Sequence, residues 1–510
     1  MERRRKAALV AVVGVVGSLL ATPAAQAGQA APGVRWGACP EDITAPVLEC
    51  ATVLAPLDYS DPGGEEIELT ISRLPSANPS ARRGVLMLNP GGPGGSGLSM
   101  PADLADLGMP ASVLDTYDLI GMDTRGVGHS TPVSCGFTAD QEYFGNIPPY
   151  AVDDAAVVRQ AEIAKSVADQ CAANDPDGRL RHISTATMAR DLDTIRAALG
   201  EEKTSFFGLS YGTALGAAYA TMFPERTDRV LLDSNVGDTA LDHDGMRRFG
   251  LGAEETFPDF AAWVAARHGT YDLGRTPAQV RRTYFALAER VDERPVAGIN
   301  GTLFRLGTFA GLYKERSYAR TAQMWQSVKR GEETPAPGID GSQFDNPWTV
   351  FLAVTCNDVE WPEDVATYRR DVAQDREKHP LYGAAGANVM PCAFWRHDPQ
   401  PRVEISDEGP RNILVLQNLR DPATPHLGGK LVRAKFGERA RMVSVDGSGH
   451  GVYVYDDNAC ALNVTTKYLV DGVMPQRDLT CRASAASGLA LTPDGQERRE
   501  RTLERLRSER

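Results

Sequence analysis

The sequence has no Cys-x-x-Cys pair, and with it lacks the usual spacing of a cysteine metal site. No Gly-Lys-Ser/Thr follows its glycine-rich segment, which excludes a P-loop. Basic residues are in deficit. The formal net charge is −13, and removing residues 1–27, which carry four positive charges and one negative, takes it to −16. Such a surface repels nucleic acid and anionic lipid, so neither is expected as a partner. Internal repeats and long low-complexity tracts are missing, and beyond residue 27 no apolar run approaches transmembrane length. What is present is ordinary for a folded chain: 42% hydrophobic and 24% charged residues. A length of 510 residues favours two structural units over one.

The first 27 residues read as an export signal. Glu2-Arg3-Arg4-Arg5-Lys6 is a positively charged start, Ala7 to Leu20 an apolar run too short to span a bilayer, and Ala25-Gln26-Ala27 a small-x-small cleavage pattern. This predicts a secreted protein with no stable membrane anchor. The cysteines agree, being even in number and suited to an oxidising compartment. Eight cysteines allow 105 pairings. Their clustering suggests the sequence-local set Cys39–Cys50, Cys135–Cys171, Cys356–Cys392 and Cys460–Cys481.

Short β-branched or apolar runs recur along the chain. Val47 to Leu54 and Ile67 to Leu74 suggest an opening antiparallel pair. Gly84 to Leu88, Tyr117 to Met122, Ser205 to Leu209, Val230 to Asp233, Ile413 to Gln417 and Met442 to Val445 suggest buried strands. Helical patterns such as Thr187 to Leu199 and Ala214 to Met222 separate several of them, predicting a mostly parallel, doubly covered α/β sheet. Between Asp233 and Ile413 the alternation stops. Helical patches at Thr276 to Val291 and Thr308 to Gly331, with a Pro/Gly break at Thr334 to Gly338, suggest an inserted helical cap. The expected organisation is therefore a signal over 1–27, core over 28–239, cap over 240–405, core again over 406–485 and a charged tail over 486–510. The tail reads as a solvated helix or as disorder.

Gly208-Leu209-Ser210-Tyr211-Gly212 is a G-x-S-x-G. Alone this motif is weak, but a strand pattern enters it and a small-residue helix pattern leaves it, as a nucleophile elbow requires. A serine hydroxyl needs a base to take its proton, and the base needs an acid to orient it. Downstream, Asp421 follows one strand pattern and His450, between Gly449 and Gly451, follows the last. Ser210, Asp421 and His450 thus stand in the α/β-hydrolase order. Asp446 is the rival acid, but it lies too near His450 in sequence to reach it from another loop. Asn89 to Gly97 (Asn-Pro-Gly-Gly-Pro-Gly-Gly-Ser-Gly) follows the strand Gly84 to Leu88. Backbone N–H groups of Gly92 and Tyr211 are the expected oxyanion hole. The same run matches G-x-G-x-x-G, but Pro93 makes it a loop rather than a helix start, and it follows a third strand, so a dinucleotide site is disfavoured.

Asn89 to Gly97, Asp123 to Ser130, Gly208 to Gly212, Asp421 to Pro425 and Gly449 to Gly451 together resemble the tripeptidyl aminopeptidase group of secreted bacterial α/β-hydrolases, relatives of prolyl iminopeptidases. The resemblance implies an α/β-hydrolase fold with a helical cap, and cleavage of short peptides from free N-termini without metal or cofactor. Pro90 stands where iminopeptidases usually carry His, which places the chain in the tripeptidyl branch. An N-terminal exopeptidase needs a carboxylate for the substrate ammonium. Cys356-Asn357-Asp358-Val359-Glu360-Trp361 resembles the cap segment that presents such an anchor, making Asp358 and Glu360 candidates. A carboxylesterase or small-amide hydrolase would use the same triad. A silent binding protein would lack a triad member, and none is missing.

Overall fold

The structure, a computed structural model, describes residues 33–508 apart from 140, 144, 297, 333–340 and 484–491. The export signal and the Thr334 to Gly338 break lie outside these residues.

Nine strands form one sheet: β1 (Glu49–Pro56), β2 (Glu66–Leu74), β3 (Gly84–Asn89), β4 (Tyr117–Met122), β5 (Thr204–Leu209), β6 (Thr227–Asp233), β7 (Ile413–Arg420), β8 (Ala440–Ser448) and β9 (Leu479–Cys481). Their spatial order is β1-β2-β4-β3-β5-β6-β7-β8-β9. β1, β2 and β4 pair antiparallel. Every pairing from β4 through β3 to β9 is parallel. All six residues of β3, β4 and β5 are buried, which is why these strands read as unbroken apolar runs rather than alternating ones. This is the α/β-hydrolase fold. The expected strands are all found, and β9 is added to them.

Two apolar clusters cover the sheet. One joins Phe206, Leu232 and Val415 to the helices Thr185–Ala198 and Gly212–Met222. The other joins Phe207, Leu231 and Leu414 to the last helices of the chain. Burial of each such side chain contributes about 1.5–3 kcal/mol. The helix Thr185–Ala198 starts at Ser184, whose hydroxyl accepts the Thr187 N–H while Thr187 bonds back, a capping box.

Between β6 and β7 the described residues form helices and no sheet strand. His243–Ala266, Pro277–Glu293, Gly301–Gly311 and Tyr318–Arg330 surround an aromatic cluster built on Phe257, Phe260, Tyr284 and Trp325. Asp345–Asn357 packs elsewhere, its Val350, Phe351 and Leu352 joining the main core. The single helical patch expected over 308–331 is two helices. The chain turns extended at Lys314 (φ −151°, ψ 142°) between them, because that turn packs on the loop after β8.

All four disulfides form in the sequence-local pairing. The described part of the charged tail takes the helical one of its two expected readings, but docked rather than only solvated. Pro493–Ser508 is a helix whose Leu503 is buried, and Arg499 Nε donates to the Leu107 carbonyl at 3.0 Å. Arg505 pairs with Asp103. Its few apolar residues concealed the docking.

Candidate active site

The carboxyl ends of β3, β5, β7 and β8 carry Gly92, Ser210 with Tyr211, Asp421 and His450, where open α/β sheets place their ligands. Ser210 leaves β5 at φ +60°, a left-handed conformation that costs a non-glycine residue of order 1–3 kcal/mol and persists only where the surroundings impose it. Two glycines leave room for it here. A Cβ on Gly208 would collide with the Gly212 carbonyl, and one on Gly91 would lie 2.5 Å from the Leu209 oxygen and 2.9 Å from the Tyr211 nitrogen. The glycine run after β3 is thereby laid directly against the elbow, with Gly92 next in the chain and Tyr211 N–H beside it.

Asp421 follows β7 and is fully buried, and His450 follows β8 and is nearly so. Nδ1 of His450 lies 3.0 Å from each Asp421 oxygen. Asp421 also accepts the Ala423 and Thr424 N–H groups at 3.0 Å and the Thr424 hydroxyl at 2.9 Å. Burial alone would raise its pKa, but the His450 charge and these hydrogen bonds hold it below the usual carboxylate range. An ionised carboxylate only accepts, so Nδ1 carries the proton and Nε2 is left as the acceptor. Asp446, the rival acid, is engaged instead by Arg420 at 2.8 Å, and Arg420 reaches Asp259 of the helix His243–Ala266 at 2.6 Å.

The serine and the histidine loop meet on β6. The Asp233 carbonyl accepts the Ser210 N–H at 3.0 Å, while the Asp233 carboxylate accepts Val452 N–H at 3.0 Å and Tyr453 N–H at 2.7 Å. Ser234 Oγ accepts Gly451 N–H at 2.8 Å. From the inserted helices, the Tyr313 carbonyl accepts His450 N–H at 2.9 Å, and Lys314 Nζ donates to the Gly451 carbonyl at 2.9 Å.

Asp358 and Glu360 part company. Asp358 is buried, with Oδ1 taking the Thr185 N–H at 2.7 Å and Oδ2 the Thr185 hydroxyl at 2.5 Å. With its one proton so used, Thr185 Oγ1 accepts from the Tyr211 hydroxyl at 2.6 Å. Burial pushes Asp358 up to about 7 against the Thr185 bonds, and burial followed by the Asp358 charge raises Tyr211. Asp358 also borders a cavity of about 10 Å³, room for one water. Glu360 is exposed.

Sequence reasoning missed Asp233, Ser234, Thr424, Thr185, Tyr313 and Lys314. The polar triplet Asp233-Ser234-Asn235 at the end of a buried strand, and a threonine three residues after Asp421, were the available signals. The partners of Thr185, Tyr313 and Lys314 are set by tertiary contacts and left no local trace.

Among the described residues no group of three or more His, Cys, Asp or Glu side chains could hold a metal, and the site's donors are those of acyl transfer. Fold and site together define a serine hydrolase of the α/β-hydrolase class. The family model for TAP-like proteins matches residues 379–481. Tripeptidyl aminopeptidase of Streptomyces lividans is 33% identical over 491 residues, covering 91% of this chain and 89% of that protein. A serine protease of Mycobacterium tuberculosis is 28% identical over 504 residues, covering 93% and 95%. Carboxylesterase B of the same organism is 30% identical over 478 residues, covering 88% and 90%. The chain belongs to the tripeptidyl aminopeptidase (TAP-like) family.

Proposed function

We propose that the protein is an exported serine exopeptidase that releases short peptides, tripeptides in the first place, from free N-termini. Ser210 attacks the scissile carbonyl as His450 Nε2 takes its proton, and Asp421 stabilises the resulting imidazolium. The N–H groups of Gly92 and Tyr211 receive the oxyanion. The imidazolium gives its proton to the leaving amine as the scissile C–N bond breaks. The restored imidazole then deprotonates a water that attacks the acyl-enzyme, the proton passing to Ser210 Oγ as the acyl group is released. The observation that carries the reading is the buried Asp421–His450 pair at 3.0 Å, with a serine held at φ +60° and bonded to the same strand end, Asp233-Ser234, as the histidine loop. The Streptomyces relative supports peptides as substrates. Four disulfides, with the charged and apolar pattern of residues 1–27, support export.

Asp358 and Glu360 remain the candidates for the substrate ammonium, and they would act differently. Asp358 would have to exchange a Thr185 hydrogen bond for the ammonium. Glu360, being exposed, would bind it with little desolvation and correspondingly little gain. The carboxylesterase relative supports a second reading in which an ester is the substrate of the same triad.

One matched series separates the two: a free-amine tripeptide anilide, its N-acetylated twin, a single-residue anilide and a short-chain nitrophenyl ester, with Ser210→Ala as control. Strong preference for the free tripeptide, abolished by acetylation, is the expected result. Dominant ester turnover, indifferent to a free amine, would replace the peptidase with the esterase, and full activity of Ser210→Ala would remove the nucleophile.

A further inference from the structure

Asp233 is a fully buried carboxylate that the acyl-transfer scheme does not use. Burying such a charge is costly unless it is well bonded, so the location of its donors is informative. It accepts hydrogen bonds from the N–H groups of Val452 and Tyr453 and from the hydroxyl of Ser234. Ser234, itself at φ +60°, turns its hydroxyl oxygen to the N–H of Gly451. The two side chains therefore hold three consecutive N–H groups, 451 to 453, directly after His450. The backbone of the same two residues is tied sideways: the Asp233 carbonyl to Ser210 N–H at 3.0 Å and the Ser234 N–H to the Leu416 carbonyl at 3.0 Å. One dipeptide at the end of β6 thus touches the elbow on one side, β7 on the other and the histidine loop above.

We propose that Asp233 and Ser234 are positioning residues that set the reach from His450 to Ser210, an inference that rests on reading these two as base and nucleophile. Neither residue contacts the reacting atoms. They act by fixing the loop that carries the imidazole in the frame of the strand end that carries the serine. When ionised, a carboxylate suits this task because it is acceptor-only and takes both successive N–H groups at once, and these bonds oppose the burial that pushes Asp233 up to about 7. An asparagine presents an NH2 to one of them and pushes the loop away. On the inserted side, Lys314 closes the clamp by bonding the carbonyls of Gly451 and Tyr455 at 2.9 and 3.3 Å.

The test uses the full mature chain and whichever substrate the parent turns over best, so the peptide-or-ester question does not enter. Parent and Ser210→Ala are first compared for labelling by a fluorophosphonate. Labelling of the parent alone establishes the nucleophile independently. Asp233→Asn is then expected to lower kcat and the labelling rate together by about 10–100-fold, with KM within about threefold, since a displacement near 1 Å costs about 100-fold. Ser234→Gly accommodates φ +60° and loses both bonds of the hydroxyl, the one it accepts from Gly451 N–H and the one it donates to Asp233. For it a fall in kcat of about 3–10-fold is expected, on the scale of one net hydrogen bond. A folded Asp233→Asn with kcat within about twofold of the parent, or with a raised KM at unchanged kcat, overturns the proposal. If Asp233→Asn does not fold, Ser234→Gly decides on the same kcat-against-KM criterion, unchanged kcat overturning it.

Discussion

The backbone N–H of His450 donates to the carbonyl of Tyr313 at 2.9 Å, and the Tyr313 ring meets the imidazole edge-on with centroids 5.2 Å apart. The histidine that follows β8 is therefore held by the turn between the helices Gly301–Gly311 and Tyr318–Arg330 as well as by the sheet. Lys314→Met keeps the aliphatic stem and removes the ammonium from the Gly451 and Tyr455 carbonyls. We expect kcat to fall about 3–10-fold with KM little changed, because a displaced base costs rate more than affinity. Steady-state kinetics at one pH checks this, and an unaltered kcat would show that the clamp has no part in placing the base.

Thr424 bonds Asp421 through both its N–H and its hydroxyl, and the hydroxyl lies 3.2 Å from His450 Nδ1. Thr424→Val removes only the hydroxyl bond. Activity should drop about fivefold, the equivalent of about 1 kcal/mol, and Thr424→Ser should recover most of it. Equal rates for the valine and serine variants would exclude the hydroxyl.

Asp358 predicts a pH-dependent stability with a definite sign. Its ordinary value of 3.8 in the unfolded chain rises to about 7 on folding. Between those values the folded protein binds more protons than the unfolded one, so rising pH favours unfolding, and the penalty is complete above about 7. Asp421 has the opposite sign. Its folded value is depressed, so its contribution is present above the unfolded value and lost as pH falls through the lower folded one. Asp358→Asn is therefore expected to gain in Tm relative to the parent as pH is raised from 5 to 8. A parent–variant difference in Tm that stays constant over that range would contradict the assignment.

Cys356–Cys392 closes a loop of 36 residues and fastens the end of the helix that leads into Asp358. Replacing both cysteines by alanine should cost about 2–4 kcal/mol. Chemical denaturation of the oxidised parent and the double variant measures it. The Asp358–Thr185–Tyr211 chain should loosen with it, so kcat should fall at temperatures where the variant is still folded.

Truncation before Pro493 removes the helix that covers helix Met100–Asp106 and leaves Asp103 without its Arg505 pair. Tm should fall by about 1–2 °C, about what 1–2 kcal/mol produces in a chain of this size. kcat should be unchanged, since the tail's described contacts are with residues 103–107, 454 and 457 rather than with Ser210, Asp421 or His450. Differential scanning calorimetry alongside kinetics checks both halves.

Much of this architecture was readable because it is written locally. Tyr117–Met122 is buried on both faces and so appears as an uninterrupted apolar run with the bounds expected of it. Gly208 and Gly212 flank Ser210 because the turn itself excludes side chains, so the elbow is legible within five residues. The disulfides join near neighbours, which made their pairing accessible. The failures have the opposite character. β9 is three residues long and is held by pairing with β8 and by Cys460–Cys481, not by its own propensity. The break at Lys314 follows from contact with a loop 137 residues away. The tail was misread because one buried leucine among arginines and glutamates gives almost no periodic signal, while its Arg499 and Arg505 contacts come from a helix nearly 400 residues earlier. For Asp358, a candidate for the substrate ammonium, only the fold reveals that both of its oxygens face Thr185.

The Tyr313–His450 bond has a mechanical consequence. The helical turn beside His450, the proposed base, is bolted to its loop through His450 N–H and through the Lys314 ammonium. Any swing of that turn carries the imidazole with it or breaks both bonds at once. Turn and imidazole are one lever, so, if His450 is the base proposed for Ser210, an opening motion wide enough to disturb this turn also disarms the serine.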